Sequence, residues 1–298
     1  MKRIVLTIAL SVFAAACLLP PAFGASYNPD IFTIAAKGAN SMNTRIAGNF
    51  VVWQDMMAMK WLGYDLEKRE SFTITSGNAM SMLSNEFYAV WRDDTVMSWY
   101  GYDLAARRKF PLGIGDVDGM SVRLTEHYLI YKGMMDMTLH GMDLKSGEMF
   151  VIFPGDIDGM SVRVAGDFVA WRTMAMPAVL SGFQLSTRQG FLLSDGESID
   201  TMGLVMSDQF VAWREGMVPS PAAGLYGFDL AKREKFLITN EDIDSMSLRA
   251  AGRYIVGRQM TSGKLYGFDC VLREIFEIAS NADTMSLRIN EGYAVWKD

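Results

Sequence analysis

The chain has 298 residues, of which half are hydrophobic, and it carries a formal net charge of −6. This composition is sufficient for a full hydrophobic core and differs from that of a disordered protein. The acidic balance argues against nucleic acid or anionic lipid as a partner, because both are bound by basic surfaces.

The N-terminus has the layout of a secretory signal peptide. Lys2 and Arg3 precede an apolar run over residues 4–19, and small residues follow at 22–25. The apolar run is short for a membrane span, and no other long apolar run follows it. We therefore assign residues 1–25 to a signal peptide, which predicts a periplasmic or secreted protein without a transmembrane segment.

Export leaves residues 26–298 as the mature domain, with a charge of −8 once Lys2 and Arg3 are removed. Acylation of Cys17 as a lipoprotein is the alternative to simple cleavage. Cys270 is then the single cysteine of the mature chain, so an intramolecular disulfide is excluded, and we expect its thiol to be buried.

A repeat of about forty residues covers the mature chain. Each unit opens with a methionine in a Met-Ser-x-Arg context, continues with aromatic-Val-x-Trp and Gly-aromatic-Asp-Leu, and ends with Phe-x-Ile. The opening methionines are Met42, Met80, Met120, Met160, Met202, Met246 and Met285. Four-stranded units at this period are typical of β-propeller blades.

The third unit illustrates the four predicted strands. They cover residues 121–124, 128–131, 139–144 and 150–153, and turn residues separate them. The last unit begins at Met285 and contains only two such strands. Near the N-terminus, residues 32–34 repeat the Phe-Thr-Ile of residues 72–74. We therefore predict an all-β, seven-bladed propeller of six full blades and one composite blade, which an N-terminal strand over residues 31–36 closes.

The repeats resemble those of TolB-like propellers. The residues that carry the resemblance are Val51-Val52-Trp53-Gln54-Asp55, Gly63-Tyr64-Asp65-Leu66 and Phe72-Thr73-Ile74-Thr75, with counterparts such as Gly227-Phe228-Asp229-Leu230. The resemblance implies an extracellular or periplasmic propeller. It does not extend to the α/β domain of TolB, so the partner of that domain is not implied. The family usually has glycine and polar residues after Trp-x-Asp, whereas this chain has methionine.

Methionine is concentrated in two of the connections between strands. Seven methionines open the repeats, and eleven lie between the second and third strands: Met56, Met57, Met59, Met97, Met134, Met135, Met137, Met174, Met176, Met217 and Met260. Successive connections of an up-and-down blade alternate between the two ends of the ring. Both methionine sets should therefore lie on one face.

Charged residues keep the same register. Asn or Asp stands two residues before each opening methionine, where we expect it to cap a turn. Arginine stands three residues after it in five units, where we expect ion pairs with those acids between blades. A basic residue ends most second strands, as in Arg92, Arg172, Arg214 and Arg258.

Two functions fit a methionine-rich face. The opening methionines, with Arg92, Arg172, Arg214 and Arg258, would dock a protein or cell-surface ligand, because methionine is flexible and polarisable. Alternatively, thioether sulfur is a soft ligand for Cu(I) or Ag(I). The candidate metal ligands are Met56, Met57, Met59, Met134, Met135, Met137, Met174 and Met176. Duplication of one ancestral blade would also copy a methionine into every unit.

The sequence offers little for catalysis. Its histidines are His127, in a predicted turn, and His140, in a predicted strand. No nucleophile elbow, phosphate-binding loop or zinc motif is recognisable. Paired acids such as Asp93-Asp94 could serve a glycosidase but are more often solvated loop residues. We therefore predict a non-enzymatic binding module that acts as a monomer, with a hydrolase as the remaining alternative.

Overall fold

The computed structural model describes residues 32–34, 39–40, 43–76, 79, 82–196, 198–216, 223–280 and 282–297. These residues form an all-β molecule of six four-stranded antiparallel sheets and one two-stranded sheet, numbered here as blades 1 to 7 in chain order. The seven-bladed propeller that the repeat predicts is confirmed. The predicted signal peptide and Cys17 lie outside the described residues, as do Met42, Met80 and Met217.

The strands follow one another across each sheet. Blades 1 to 3 contain β1 (Arg45–Ala47), β2 (Phe50–Asp55), β3 (Lys60–Asp65), β4 (Glu70–Thr75), β5 (Met82–Ser84), β6 (Tyr88–Asp93), β7 (Ser98–Asp103), β8 (Arg108–Pro111), β9 (Val117–Leu124), β10 (Tyr128–Gly133), β11 (Leu139–Asp143) and β12 (Met149–Phe153). The four strands predicted for the third unit are β9 to β12, and β9 begins earlier than expected because Val117 and Asp118 also pair with β10.

The remaining blades repeat this plan. Blades 4 to 7 contain β13 (Arg163–Ala165), β14 (Phe168–Arg172), β15 (Leu180–Gln184), β16 (Gln189–Ser194), β17 (Asp200–Met206), β18 (Phe210–Glu215), β19 (Gly224–Asp229), β20 (Glu234–Thr239), β21 (Arg249–Ala251), β22 (Tyr254–Arg258), β23 (Leu265–Asp269), β24 (Glu274–Ala279), β25 (Asp283–Ile289) and β26 (Ala294–Lys297). Short 3-10 turns over Gly159–Ser161 and Ser245–Ser247 precede β13 and β21.

The hydrophobic core lies between neighbouring blades. Val52 and Trp61 of blade 1, for example, pack in one cluster with Ala89 and Trp91 of blade 2. The second-strand tryptophans are all buried, as expected of inter-blade core residues: Trp53, Trp91, Trp171, Trp213 and Trp296. Burial between sheets is therefore what holds the ring together.

A phenylalanine of the fourth strand covers a glycine of the third strand in each of blades 1 to 6. A Cβ atom placed on Gly63 would lie 2.2 Å from Cζ of Phe72. The same close approach occurs at Gly101, Gly141, Gly182, Gly227 and Gly267. This contact explains the glycine of the Gly-aromatic-Asp motif, because any side chain there would displace the ring.

Arginines in the turns between third and fourth strands join adjacent blades. The guanidinium carbon of Arg188 lies 3.1 Å from the ring centroid of Phe150 in the preceding blade. Arg107, Arg233 and Arg273 cover Phe72, Phe191 and Phe236 in the same way. These arginines have a positive φ, where glycine is the favoured residue, and blade 3 has Gly147 at this position. The stacking compensates for the backbone cost at each arginine.

Blade 7 contains two paired strands, β25 and β26. Phe32 nevertheless contacts blade 1 as the fourth-strand phenylalanines contact the blades that follow them. Its ring lies 6.0 Å from that of Tyr64, and the guanidinium of Arg69 lies 5.4 Å from its centroid. Residues 32–34 are not assigned to a strand, and residues 31, 35 and 36 lie outside the described part. The closing strand over residues 31–36 stays a prediction.

Candidate ligand-binding face

The two methionine-bearing connections lie side by side. In blade 3 the N–H of Met134 donates to the carbonyl of Asp116 at 3.0 Å, which joins the second-to-third connection to the connection before the first strand. Met174 and Met260 donate in the same way to Asp156 and Asp242. We call the surface formed by Met56, Met57, Met59, Met97, Met120, Met134, Met135, Met137, Met160, Met174, Met176, Met202, Met246, Met260 and Met285 the methionine face.

Aspartate and arginine side chains fix the main chain on both sides of the methionines that open the repeats. At Met120, Oδ1 of Asp118 accepts the N–H at 3.0 Å, and Nη1 of Arg123 donates to the carbonyl at 2.8 Å. Asp and Arg hold Met160, Met246 and Met285 in the same way. At Met202 only the aspartate contact forms, since Val205 replaces the arginine. The turn-capping role expected of the aspartates is confirmed.

The ion pairs expected between these arginines and aspartates do not form among the described residues. Arg123 instead donates from Nε to the carbonyl of Val162 in blade 4, at 2.9 Å. Arg163 donates likewise to Leu204 in blade 5, at 2.8 Å. Burial lowers the pKa of both guanidinium groups, which is consistent with their position inside the ring. The prediction was wrong because main-chain carbonyls of the same and the next blade satisfy the guanidinium geometry.

The serine of the Met-Ser-x-Arg motif also has a structural role, which the sequence analysis missed. Ser121 is fully buried, donates to the carbonyl of Asp118 at 2.7 Å and accepts the N–H of Lys132 at 2.8 Å. Ser161 and Ser247 make the same two contacts. Its recurrence immediately after the methionine was the signal that could have revealed this bridge between the first and second strands.

The methionine side chains, in contrast, are exposed to solvent. Their exposed fractions range from 43% at Met137 to 95% at Met176, and Met120 and Met160 expose about 60%. Of the Asp-x-Met-Ser-x-Arg motif, Asp, Ser and Arg support the fold, whereas the methionine side chain points away from it.

The connections between second and third strands, here called the outer loops, hold some methionines in a backbone conformation that disfavours a side chain. Met59, Met97 and Met137 have φ between 52° and 55°, in the left-handed region. Blade 6 has Gly263 at the position of Met137. In blade 1 the carboxylate of Asp55 accepts the N–H groups of Met57 and Ala58, which organises the turn. A methionine at such a position carries a conformational cost that glycine does not.

The arginines at the ends of the second strands are half-buried and differ in their contacts. Arg214 reaches blade 6, where it donates to the carbonyl of Ile243 at 2.8 Å and pairs with Asp242 at 3.2 Å. Arg92 contacts the sulfur of Met97 at 3.4 Å. The Nε atoms of Arg172 and Arg258 are buried without a hydrogen-bond partner. Arg214 therefore belongs to the contact between blades more than to a free binding surface.

His140 forms the one histidine–carboxylate contact near this face among the described residues. Its Nε2 lies 2.7 Å from Oδ2 of Asp136, and its ring stacks on Tyr131 with centroids 5.3 Å apart. Burial opposes ionisation of Asp136, but the hydrogen bond to His140 keeps the pKa of this carboxyl below its usual value. Burial raises the pKa of Tyr131 to about 12. No group of three or more His, Cys, Asp or Glu suited to a metal occurs in the described part of the chain.

The opposite mouth of the ring holds a cavity that the sequence analysis did not predict. It has a volume of about 450 Å³. The ends of first strands, at Ile46 and Val164, and connections to second strands, at Glu86 and Glu126, line it. The walls combine aliphatic side chains with carboxylates. Its wide mouth opens on the face opposite the methionines.

No family model matches the sequence, and no curated protein sequence matches it. The fold is similar to solved propellers. The acylaminoacyl peptidase of Pyrococcus horikoshii is 12% identical over 84% of this chain and 47% of that chain, with a TM-score of 0.50. The propeller domain of the Trilobed protease from Pyrococcus furiosus is 15% identical over 84% and 90% of the two chains, with a TM-score of 0.49.

Hsv2 of Kluyveromyces lactis is 10% identical over 76% of this chain and 73% of that chain, with a TM-score of 0.47. At these identities the comparisons show the propeller fold alone. Among the described residues there is no helix that is long and apolar enough to cross a membrane.

Proposed function

We propose that this protein is an exported, non-enzymatic binding module of the TolB-like kind, which docks a protein or cell-surface ligand through its methionine face. The observation that carries the proposal is that the side chains of the Asp-x-Met-Ser-x-Arg motif have different roles. Its polar side chains hold the main chain at Met120 and its counterparts, while the methionine side chains are exposed. Flexible apolar side chains on a fixed backbone suit an adaptable docking surface.

Charged residues among the methionines also support the docking proposal. The methionines are interspersed with aspartates and with Arg92, which would orient a partner on an otherwise apolar surface. An exposed apolar surface of this extent on a monomer is unusual unless it binds something. We assign no catalytic role to His140, because its contacts are with Asp136 and Tyr131 of its own blade.

Photo-crosslinking in the organism of origin tests the docking proposal. A photoreactive side chain at position 135, which is 90% exposed on the methionine face, should give one discrete adduct. The same group at position 149, which is 55% exposed in β12, is the control and should give none. Exchange of Met134 and Met137 for Gln should abolish the adduct, whereas exchange for Leu should preserve it. Equal adducts from positions 135 and 149 would contradict docking on this face.

The second candidate function is binding of Cu(I) or Ag(I) by the outer loops. Met56, Met57 and Met59 share one exposed turn, and Met134, Met135 and Met137 share another. Thioether sulfur binds these soft ions without having to lose a proton. Three sulfur atoms on one turn could therefore converge on a single ion.

An anaerobic Cu(I) titration of the exported protein, against a chromophoric competitor, tests this candidate. A Met134→Leu, Met135→Leu, Met137→Leu variant retains apolar volume and removes sulfur. If the loops hold metal, the number of bound ions should fall in this variant while docking is retained. An unchanged metal content would exclude this loop as a ligand set and leave docking as the proposal.

A further inference from the structure

The sulfur atoms of the described residues are divided between the methionine face and the core. The fifteen methionines of the face expose between 43% and 95% of their surface. Met82 and Met142 expose 2% and 5%, and they pack in the clusters between blades. Of the other described methionines, Met149 is exposed on β12 and Met206 is half-buried. A dissolved oxidant therefore meets thioether sulfur mainly on one face of the ring.

The thiol of Cys270 does not compete with these thioethers. Cysteine reacts with oxidants as the thiolate, and only where the oxidant can reach it. Cys270 exposes 3% of its surface, and burial raises the pKa of its thiol to about 12. It is the one free cysteine among the described residues. The methionine face is therefore the most accessible sulfur that the described part of the chain offers to an oxidant.

The main chain beneath the methionines that open the repeats does not depend on their side chains. At Met120 the carboxylate of Asp118 accepts the main-chain N–H, and the guanidinium of Arg123 donates to the carbonyl. The buried Ser121 joins the first strand to the second. None of these contacts involves a sulfur atom. Addition of an oxygen atom to the sulfur of Met120 should therefore leave the fold intact.

Oxidation of a thioether by hydrogen peroxide transfers one oxygen atom to sulfur. A sulfur lone pair attacks one peroxide oxygen, so that an S–O bond forms while the O–O bond breaks. Sulfur loses two electrons, and the departing hydroxide takes the proton of the transferred hydroxyl group and leaves as water. The sulfoxide is polar, whereas the thioether is apolar. Repeated across the methionine face, this reaction converts an apolar surface into a polar one.

The same exposure makes the reaction reversible. Two reductases, one for each sulfoxide epimer, return methionine sulfoxide to the thioether, with a dithiol that becomes a disulfide and with release of water. Such enzymes reach Met57, Met135 and Met176, which expose 85%, 90% and 95% of their surface. We propose that the methionine face is a reversible modification site, at which peroxide oxidises the exposed methionines to sulfoxides and reductases restore them while the propeller stays folded.

Peptide mapping by mass spectrometry tests the proposal on the purified protein. After treatment with hydrogen peroxide, sulfoxide should form on the methionine face at least roughly tenfold faster than at Met82 and Met142, because the buried sulfurs react only when the core opens. N-acetylmethionine in the same mixture calibrates the rate of an unprotected thioether. The circular dichroism spectrum and the urea midpoint should not change while sulfoxide is confined to the face.

Two variants show which sulfurs take up oxygen. Joint exchange of Met134, Met135 and Met137 for Leu removes three exposed sulfurs and should lower the uptake by three oxygen atoms per chain. Met142→Leu removes one buried sulfur at nearly constant volume and should leave the uptake of the folded protein unchanged. Both sulfoxide reductases together, with dithiothreitol, should return the oxidised protein to its starting mass.

Oxidation of Met142 as fast as the face methionines would overturn the proposal. A urea midpoint that falls when only the face carries sulfoxide would also overturn it, because oxidation would then damage the fold. Sulfoxides on the face that the two reductases leave unreduced would exclude a reversible site. The proposal depends on neither docking nor metal binding, since each measurement is made on the protein alone.

Discussion

At the scale of single residues, the side chains at positions of positive φ differ in whether they contact the rest of the fold. Arg188 and Met137 have nearly the same φ, 58° and 55°. Arg188 stacks on Phe150, whereas Met137 is 43% exposed on the methionine face. Both positions have a glycine counterpart in another blade, at Gly147 and Gly263. These glycines provide matched substitutions that the protein itself already tolerates.

Arg188→Ala should destabilise the protein more than Arg188→Gly. Both variants lose a stacking contact worth about 1 kcal/mol, but only alanine retains the cost of a positive φ, also about 1 kcal/mol. We expect alanine to lower the free energy of unfolding by about 1 kcal/mol and glycine to have little effect, as measured by urea denaturation. Equal losses in the two variants would show that φ strain is not significant here.

Met137→Gly should raise the free energy of unfolding by about 1 kcal/mol, because the exposed side chain stabilises nothing that offsets its backbone cost. The same variant should weaken docking if the methionine face binds a partner. Thermal denaturation and the crosslink at position 135 measure the two effects. A loss of stability would instead place Met137 in the packing of the fold.

At the scale of elements, the hairpin of the third and fourth strands explains the recurring Gly-aromatic-Asp-Leu motif. Asp65 ends β3, and its carboxylate accepts the N–H groups of Glu67 and Lys68 in the turn that follows. In blade 4, Gln184 replaces this aspartate, and Asp167 accepts the turn N–H of Ser186 instead. The aspartate of Gly-aromatic-Asp-Leu is therefore a turn cap.

The unfolding free energy should fall as the pH drops below about 4, the usual pKa of an unfolded aspartate. The N–H of Lys68, against the opposing effect of burial, lowers the pKa of Asp65. A carboxyl with a depressed pKa contributes stability above its unfolded pKa, and this contribution is lost as the pH falls through its folded value. Asp65→Asn should make the slope of stability between pH 5 and 3 shallower, as measured by urea denaturation at each pH. An unchanged slope would show that other carboxyls dominate.

The sequence was sufficient to predict the elements but not the contacts between them. Periodic turns and the recurring Trp and Gly-aromatic-Asp motifs specify the blades, because each unit repeats the same local pattern. The stack of Arg188 on Phe150 joins residues of different blades and could not be read from either motif alone. The expected ion pairs between the arginines and aspartates of neighbouring blades failed for the same reason, since Arg123 binds a main-chain carbonyl of blade 4. The shared face of the two methionine sets followed from topology, whereas the sequence leaves both docking and metal binding open as its use.

At the scale of the whole molecule, the blades form a ring in which the apolar contacts of the described residues are least extensive around blade 7. The full blades pack against one another through buried aromatic and aliphatic side chains. Among the described residues the cluster around Trp296 is smaller, and Tyr293 and Val295 are exposed. We expect opening of the ring to begin between blades 7 and 1.

Substitution of equivalent phenylalanines should reveal this asymmetry. Phe150 covers Gly141 and lies under Arg188, whereas Phe32 has a more exposed ring and a longer arginine contact. Phe150→Ala should lower the free energy of unfolding by about 3 kcal/mol, and Phe32→Ala by about 1 kcal/mol, as measured by urea denaturation. Equal losses would show that blade 7 is as tightly closed as blade 3.

Cys270 is buried in blade 6, with 3% of its surface exposed, and burial raises the pKa of its thiol to about 12. It is the one cysteine outside the predicted signal peptide. An alkylating reagent can therefore reach a reactive thiolate only while this blade is open. The rate of alkylation in native buffer reports how often the ring opens there, and a bound partner that closes the ring would slow that rate without any label having to be introduced.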